Sequence, residues 1–490
     1  MKEECLRLRF LVAVVATAVF SLPQVALSTS VASNLRLQSC RPEGISPPVK
    51  CGTYTVWEDR DAKAGRTIDL NVLVLAATGP DRQPDPVFLL SGGPGEAATN
   101  LAAELHQDTM RKQRDIVLVD LRGTGRSNGL FCSPPQDAPL QQFMPVIDIE
   151  RAKACRKELE KRADLRYYFN DASMDDLDDL RAALGYERIN LQGWSAGTLS
   201  SLVYLRRHGK HVRSVVLLGS AALSTPAPAR FAPDAEASLR TVLRDCIAEP
   251  ACARAFPAIE ADYRQAVRRV REQRPVQLTL RDPRNDAAVA VTLDADAFAE
   301  SLRAMLYNAE QTRRIPLLLH RAAGGDYREF AEFQLKRNVA FGRFIAIGLY
   351  YSLTCTEDVA RVDRKAVIAE GTGTFLADAR ARPHFAVCDA WPRGRLSAGF
   401  GEEVTSDVPV LIVNGEIDPA TPPASARAAA SRLSNARVII VPQGGHSLTG
   451  LTDADCVTGL IARFLDTADA KSLNTACVAK IRRKPFVLSD

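Results

Sequence analysis

The sequence predicts an α/β protein: a mostly parallel sheet with a largely helical insertion between two of its strands. Three observations lead there. Up to residue 221, short β-branched runs alternate with segments of helical spacing, the pattern of parallel strands covered on both faces. From 222 to 400 the chain is rich in Ala and Arg, helical in pattern and without a strand rhythm. From 401 the rhythm returns with "DVPVLIVNG" and "ARVIIVPQGG". The expected division is a leader over 1–28, a first part of the sheet domain over 29–221, a helical cap over 222–400, and the rest of the sheet domain over 401–490.

Each element has its own warrant. "GTYTVWED" and "RTIDLNVLVLAAT" alternate or run apolar with β-branched residues and read as the first two strands, a hairpin. "PVFLLSGG" is a third strand, and "RDIVLVDLRGTGRSN" a fourth with a tight turn after it. In "SMDDLDDLRAALG", Met174, Leu177, Leu180, Ala183 and Leu184 share one helical face, with Ser173 placed to cap the helix and Gly185 to stop it. "RINLQGWSAGTLSSLVYLRRHG" reads strand, sharp turn, helix, and "VRSVVLLGSA" is another buried strand. Within the insertion, "PVQLTLRD" and "AVAVTLDA" form a small hairpin. "CVTGLIARFLDTA" is amphipathic with helical spacing.

The 490 residues suffice for one large domain with a sizeable insertion, and 46% apolar with 25% charged residues is ordinary for a globular protein. Sixty-three Lys and Arg face 58 Asp and Glu, and no long basic block is present, so nucleic acid is not an expected partner. At the start, Lys2, Arg7 and Arg9 precede "FLVAVVATAVF", and the small residues Ala26 and Ser28 follow. That order is a secretory signal peptide, too short in its apolar run to serve as a membrane anchor. The place expected for the mature protein is therefore the periplasm or the exterior, with no stable membrane anchor after cleavage. Eleven cysteines leave ten once Cys5 is removed with the leader. They fall in local couples, Cys40/Cys51, Cys132/Cys155, Cys246/Cys252, Cys355/Cys388 and Cys456/Cys477, which an oxidising compartment would let close. No couple has a CxxC spacing or a nearby His pair, so neither a metal nor another cofactor is expected.

The chemistry centres on "GWSAG", residues 193–197, between a strand and a helix. In that setting G-x-S-x-G lifts the serine hydroxyl clear on a strained turn at a helix N-terminus. Ser195 then needs a base. Of six histidines, His106, His208, His211, His320 and His384 lie in helices or loops that suit structural roles. His446 sits on a Gly-rich loop just after a buried strand, in "VIIVPQGGHS". Asp418 follows the preceding strand in "VLIVNGEIDPATP", with Glu416 as the alternative acid. Ser, Asp and His in that order, each after a strand, is the chain order of a hydrolase triad on an α/β sheet. "SGGPG", residues 91–95, lacks the Gly-Lys-Ser/Thr of a phosphate loop, and Pro94 interrupts a dinucleotide fingerprint. An oxyanion hole fits better, with backbone N–H groups from Ala196 and from Gly92 or Gly93; one such donor is worth about 3 kcal/mol in the transition state.

"SGGPG", "DLRGTGRS", "GWSAG" and the Asp418 and His446 loops together resemble the proline-iminopeptidase-like serine peptidases, and more narrowly their secreted tripeptidyl-aminopeptidase branch. The resemblance implies an α/β-hydrolase fold with a helical cap, a Ser-His-Asp triad, and peptide substrates with a free N-terminus. Many members have His before GGPG where this chain has Ser91, which bears on substrate preference more than on chemistry. Asp120 and Arg122 of "DLRGTGRS" are expected to brace the turn, through an ion pair and backbone hydrogen bonds. In the cap, "GLYYSLTCTEDVA" sets aromatics beside acids. Glu357 and Asp358 there would meet a substrate ammonium, as cap carboxylates do in the family, and Trp194 would lie at the substrate. A carboxylesterase or lactone hydrolase using the same triad is the alternative, and an exported binding protein with a vestigial site a more distant one.

Overall fold

A computed structural model describes residues 35–489 apart from 133, 135 and 136. The leader expected over 1–28, and Cys5 within it, lie outside the described residues. Nine strands form the main sheet. In chain order they are β1 (Leu35–Ser39), β2 (Val49–Trp57), β3 (Thr67–Leu75), β4 (Val87–Leu90), β5 (Ile116–Val119), β6 (Ile189–Trp194) and β7 (Val212–Leu218), then β10 (Val410–Gly415) and β11 (Ala436–Val441). Between β7 and β10 the hairpin β8 (Val276–Arg281) and β9 (Ala288–Leu293) forms a separate small sheet, as its two apolar runs predict.

The spatial order is β1-β2-β3-β5-β4-β6-β7-β10-β11. Pairing is antiparallel from β1 to β5 and parallel from β5 through β11. The strand predicted first is thus the second. "LRLQS" at the edge is half-exposed and too short to announce itself, and it pairs only with β2. The central strands are legible because both faces are covered. All of β4 is buried, and its side chains alternate between two layers. Phe88 and Leu90 join Leu177, Leu180 and Leu202 on one face, while Val87 and Leu89 join Leu118, Leu411 and Phe464 on the other. Each such side chain contributes about 1.5–3 kcal/mol by leaving water.

The helix over Asn170–Ala183 begins earlier than predicted. Ser173 lies inside it and donates its hydroxyl back to Phe169 O at 3.0 Å rather than capping. Gly185 does end it, with φ +80°. The amphipathic C-terminal helix spans Asp455–Thr467 and packs through Leu460, Ile461 and Phe464.

The chain between β7 and β10 packs in two parts. Leu239, Tyr263, Phe298, Leu302, Leu319 and Phe330 form an apolar cluster of their own. Leu349, Tyr350, Tyr351 and Trp391 instead join the cluster beneath the sheet. That second part also meets the loop after β4, where Ala346 N–H donates to Gly95 O at 3.0 Å. All five cysteine couples close as disulfides, with Cα–Cα distances from 5.0 to 6.0 Å. Cys355–Cys388 ties the turn carrying Glu357 to the Ala381–Ala390 helix. Among the described residues no helix is long and apolar enough to cross a membrane.

Candidate active site

Strand β6 ends at Trp194, the next helix starts at Ala196, and Ser195 between them has φ 54° and ψ −121°. Such a backbone is costly for a residue with a Cβ and persists only where its surroundings fix it. The flanking glycines show what fixes it. A Cβ on Gly197 would lie 2.0 Å from Leu90 O, and one on Gly193 would lie 2.5 Å from Gly197 O and Ser201 Oγ. Ser195 N–H donates to Leu218 O at 2.9 Å, which anchors the turn to β7.

The loops after β10 and β11 meet this turn. His446 Nε2 lies 2.8 Å from Ser195 Oγ, and its Nδ1 lies 2.8 Å from Asp418 Oδ2. Asp418 is fully buried. Its Oδ1 accepts from Ala420 N–H at 2.8 Å and Thr421 N–H at 2.9 Å, and its Oδ2 from the Thr421 hydroxyl at 2.6 Å. Burial alone would raise the Asp418 pKa; the pull of His446 and these hydrogen bonds outweigh it and hold the carboxyl below its usual value. Glu416, the alternative acid, is exposed and accepts from Gln443 N–H instead. Three residues with no sequence signal complete the setting. Thr421 braces the acid, Gly219 leaves room beside the imidazole, where a Cβ would come within 3.2 Å of His446 Cε1, and Tyr307 packs edge-on against His446 with ring centroids 4.9 Å apart.

Residues 85–449 match the alpha/beta hydrolase fold family. The chain belongs to that family. Several curated relatives of this hydrolase carry peptidase names. It is 27% identical over 212 residues to a tripeptidyl aminopeptidase of Streptomyces lividans, covering 39% of each chain, so it spans well under half of that relative's length. It is 24% identical over 418 residues to the serine protease Hip1 of Mycobacterium tuberculosis, covering 76% of each. Among solved structures, the proline iminopeptidase of Mycobacterium smegmatis aligns with a TM-score of 0.37 and 16% identity, over 85% of this chain and 97% of that one.

The SGGPG loop of this hydrolase lies against the serine. A Cβ on Gly92 would sit 3.1 Å from Ser195 Cβ and from Trp194 Cε3, so the loop backbone touches the turn. Gly93 has φ +111°. The Ser91 hydroxyl donates to Glu96 O at 2.6 Å, and Glu96 N–H donates to Gly92 O at 3.3 Å. Ser91 thus closes its own loop. Trp194 does not line the cavity over Ser195; its ring lies beside His446, centroids 5.6 Å apart. Gly92, Gly93, Ser195 and Ala196 do line it.

Glu357 and Asp358 line the same cavity from a π-helical turn, Thr354–Asp358. Glu357 accepts from Asn170 N–H at 2.6 Å and from Asn170 Nδ2 at 2.7 Å. Burial nevertheless pushes its pKa up to about 8, against those two hydrogen bonds. Burial likewise pushes Asp358 up to about 7, with Arg361 as a weak counterweight 4.0 Å away. Glu357 has no ion-pair partner among the described residues. In "DLRGTGRS" the expected Asp120–Arg122 ion pair is absent. Arg122 is buried and binds Asp176 through Nε at 2.7 Å and Nη2 at 2.9 Å. Asp120 instead accepts from Thr99, Asn71 and the Arg126 N–H. Each braces the turn through a different neighbour.

Proposed function

We propose that this hydrolase is an exported serine aminopeptidase that releases short pieces from free peptide N-termini. The observation that carries it is that buried Glu357 and half-buried Asp358 share one cavity with Ser195, Glu357 without an ion-pair partner among the described residues and Asp358 with Arg361 only at 4.0 Å. A substrate α-ammonium supplies the missing charge, and its distance from Ser195 then sets the length of the piece released. The relatives named tripeptidyl aminopeptidase and serine protease support the class of reaction. Export is supported by the leader-like N-terminus and the five disulfides.

In this mechanism His446 Nε2 takes the Ser195 proton as Oγ attacks the scissile carbonyl. Asp418 holds the imidazole and stabilises the imidazolium. The N–H groups of Ala196 and of Gly92 or Gly93 receive the oxyanion. His446 then protonates the leaving amine, and water clears the acyl-enzyme by the same route.

Free-amine tripeptidyl anilides should be cleaved at least about a hundredfold faster than their N-acetylated counterparts, from the loss of a charge-assisted contact in a dry site. Equal rates would return the protein to the esterases. A second expectation concerns pH. With burial pushing Glu357 up to about 8 and Asp358 up to about 7, both are largely protonated in the empty site at about pH 6. An ammonium binds their ionised forms, so KM for free-amine substrates should fall as pH rises from about 6 to about 7, before the substrate α-ammonium begins to lose its own proton at about 8. Glu357→Gln should raise that KM about tenfold or more and flatten its pH dependence, with a small ester lacking an ammonium as the reference substrate. An unchanged KM would discard the anchor.

A further inference from the structure

Arg303, on the helix Ala295–Met305, lines the cavity that holds Ser195 and is only 2% exposed. Its guanidinium makes no hydrogen bond and no ion pair among the described residues, and its Nε is buried without a partner. The side chain is held by stacking alone, 4.8 Å from the Phe231 ring centroid and 5.4 Å from that of Tyr307. Aromatic faces fix the plane of a guanidinium but offer its N–H edge no acceptor. The neighbouring acids make their hydrogen-bonded pairs with other cations, while the Arg303 charge acts on Asp234 without a hydrogen bond and Glu300 Oε1 has no hydrogen-bond partner among the described residues. Glu300 Oε2 accepts from Arg380 Nη1 at 3.2 Å, Arg380 Nη2 donates to the Tyr350 hydroxyl at 3.0 Å, and Asp234 pairs with Arg230 at 3.2 Å.

Buried charged N–H groups left without acceptors are costly, and a planar fork of donors facing a cavity suits a carboxylate held two-pronged. Tyr307 packs on both Arg303 and His446, which sets Arg303 on the side of the cavity where His446 hands a proton to the leaving group. We propose that Arg303 receives a substrate carboxylate, so that the preferred substrates are short peptides bearing one near the cleaved bond. This rests on Ser195 being the nucleophile of that cavity. The carboxylate has two possible sources, the C-terminus of a short peptide or an acidic side chain.

The test is equilibrium binding to full-length Ser195→Ala protein, read by calorimetry. Tetra-alanine with a free C-terminus is compared with its C-terminal amide, and the amide carrying Glu at the third or fourth position with the same peptide carrying Gln. We expect one acidic form to bind at least about tenfold more tightly than its neutral twin, as for other charge-assisted contacts. A preference in the first comparison identifies the C-terminus, and one in the second identifies a side chain. Adding Arg303→Met should bring the twins within about twofold of each other, and Arg303→Lys should retain part of the difference. Equal binding of both pairs by Ser195→Ala protein overturns the proposal even if neither Arg303 variant folds. So does a preference that survives Arg303→Met. Failure of the nucleophile assignment shows separately, as peptide cleavage persisting in Ser195→Ala, while the binding comparison still decides the role of Arg303.

Discussion

Ser195→Ala is expected to lower kcat by about a million-fold, the scale of losing the nucleophile from a Ser-His-Asp unit. Labelling by a fluorophosphonate probe should disappear with it. The expectation rests on the short contact from Ser195 Oγ to His446 Nε2, 2.8 Å, and on a turn whose geometry presents that oxygen alone. Alanine keeps the Cβ and meets the same backbone strain at φ 54°, so the melting temperature should change little. What remains, about 10³–10⁴ over water, would come from the oxyanion donors and from substrate binding. Labelling that persists in a folded Ser195→Ala protein would remove Ser195 from the role, and with it the acyl-enzyme mechanism.

Much of the sheet was legible because β4 and β10 are buried along their whole length, so their sequences carry no alternation to obscure where the strand stops, and Asp418 stands just beyond β10. Ser195 was legible from the glycines around it, since β6 mixes polar and apolar residues, and His446 from the Gly-rich loop that follows the apolar run of β11. Elements whose identity depends on distant neighbours were not legible. Edge strand β1 is half-exposed and defined by its pairing with β2. Arg122 finds Asp176, from a helix more than fifty residues on, rather than the nearby Asp120. Thr421 and Gly219 matter only because two loops converge on His446. Arg303 looks like any other arginine of an Arg-rich helical stretch. Its distinction is a guanidinium without a hydrogen-bond acceptor among the described residues, which only the assembled cavity shows.

Asp418→Asn should lower kcat at neutral pH by about ten-thousand-fold, as a wrong imidazole tautomer does in such triads. Asp418 Oδ2 accepts from His446 Nδ1, so the proton sits on Nδ1 and leaves Nε2 free to take one from Ser195. The backbone N–H groups of Ala420 and Thr421 both point at Oδ1. An asparagine would keep its carbonyl oxygen there and turn its NH₂ toward His446. The imidazole would answer with a lone pair on Nδ1 and a proton on Nε2, where it cannot act as base. The NH₂ would also confront the Thr421 hydroxyl, which now donates to Oδ2, so that hydroxyl must rotate. Stability should respond on the acid side. The depressed Asp418 pKa means that ionised Asp418 stabilises the fold above its unfolded pKa, and that this contribution is lost as pH falls through the folded value. The variant lacks that dependence, so its melting temperature should decline less than that of the parent as pH drops through the lower carboxylate range. Glu416→Gln supplies the contrast. Glu416 is exposed and holds only Gln443 N–H, so its loss should change kcat by less than about twofold, as for surface polar groups away from the chemistry. If Asp418→Asn cost less than about tenfold and Glu416→Gln cost more, the acid of this site would have to be reassigned to the loop's exposed carboxylate.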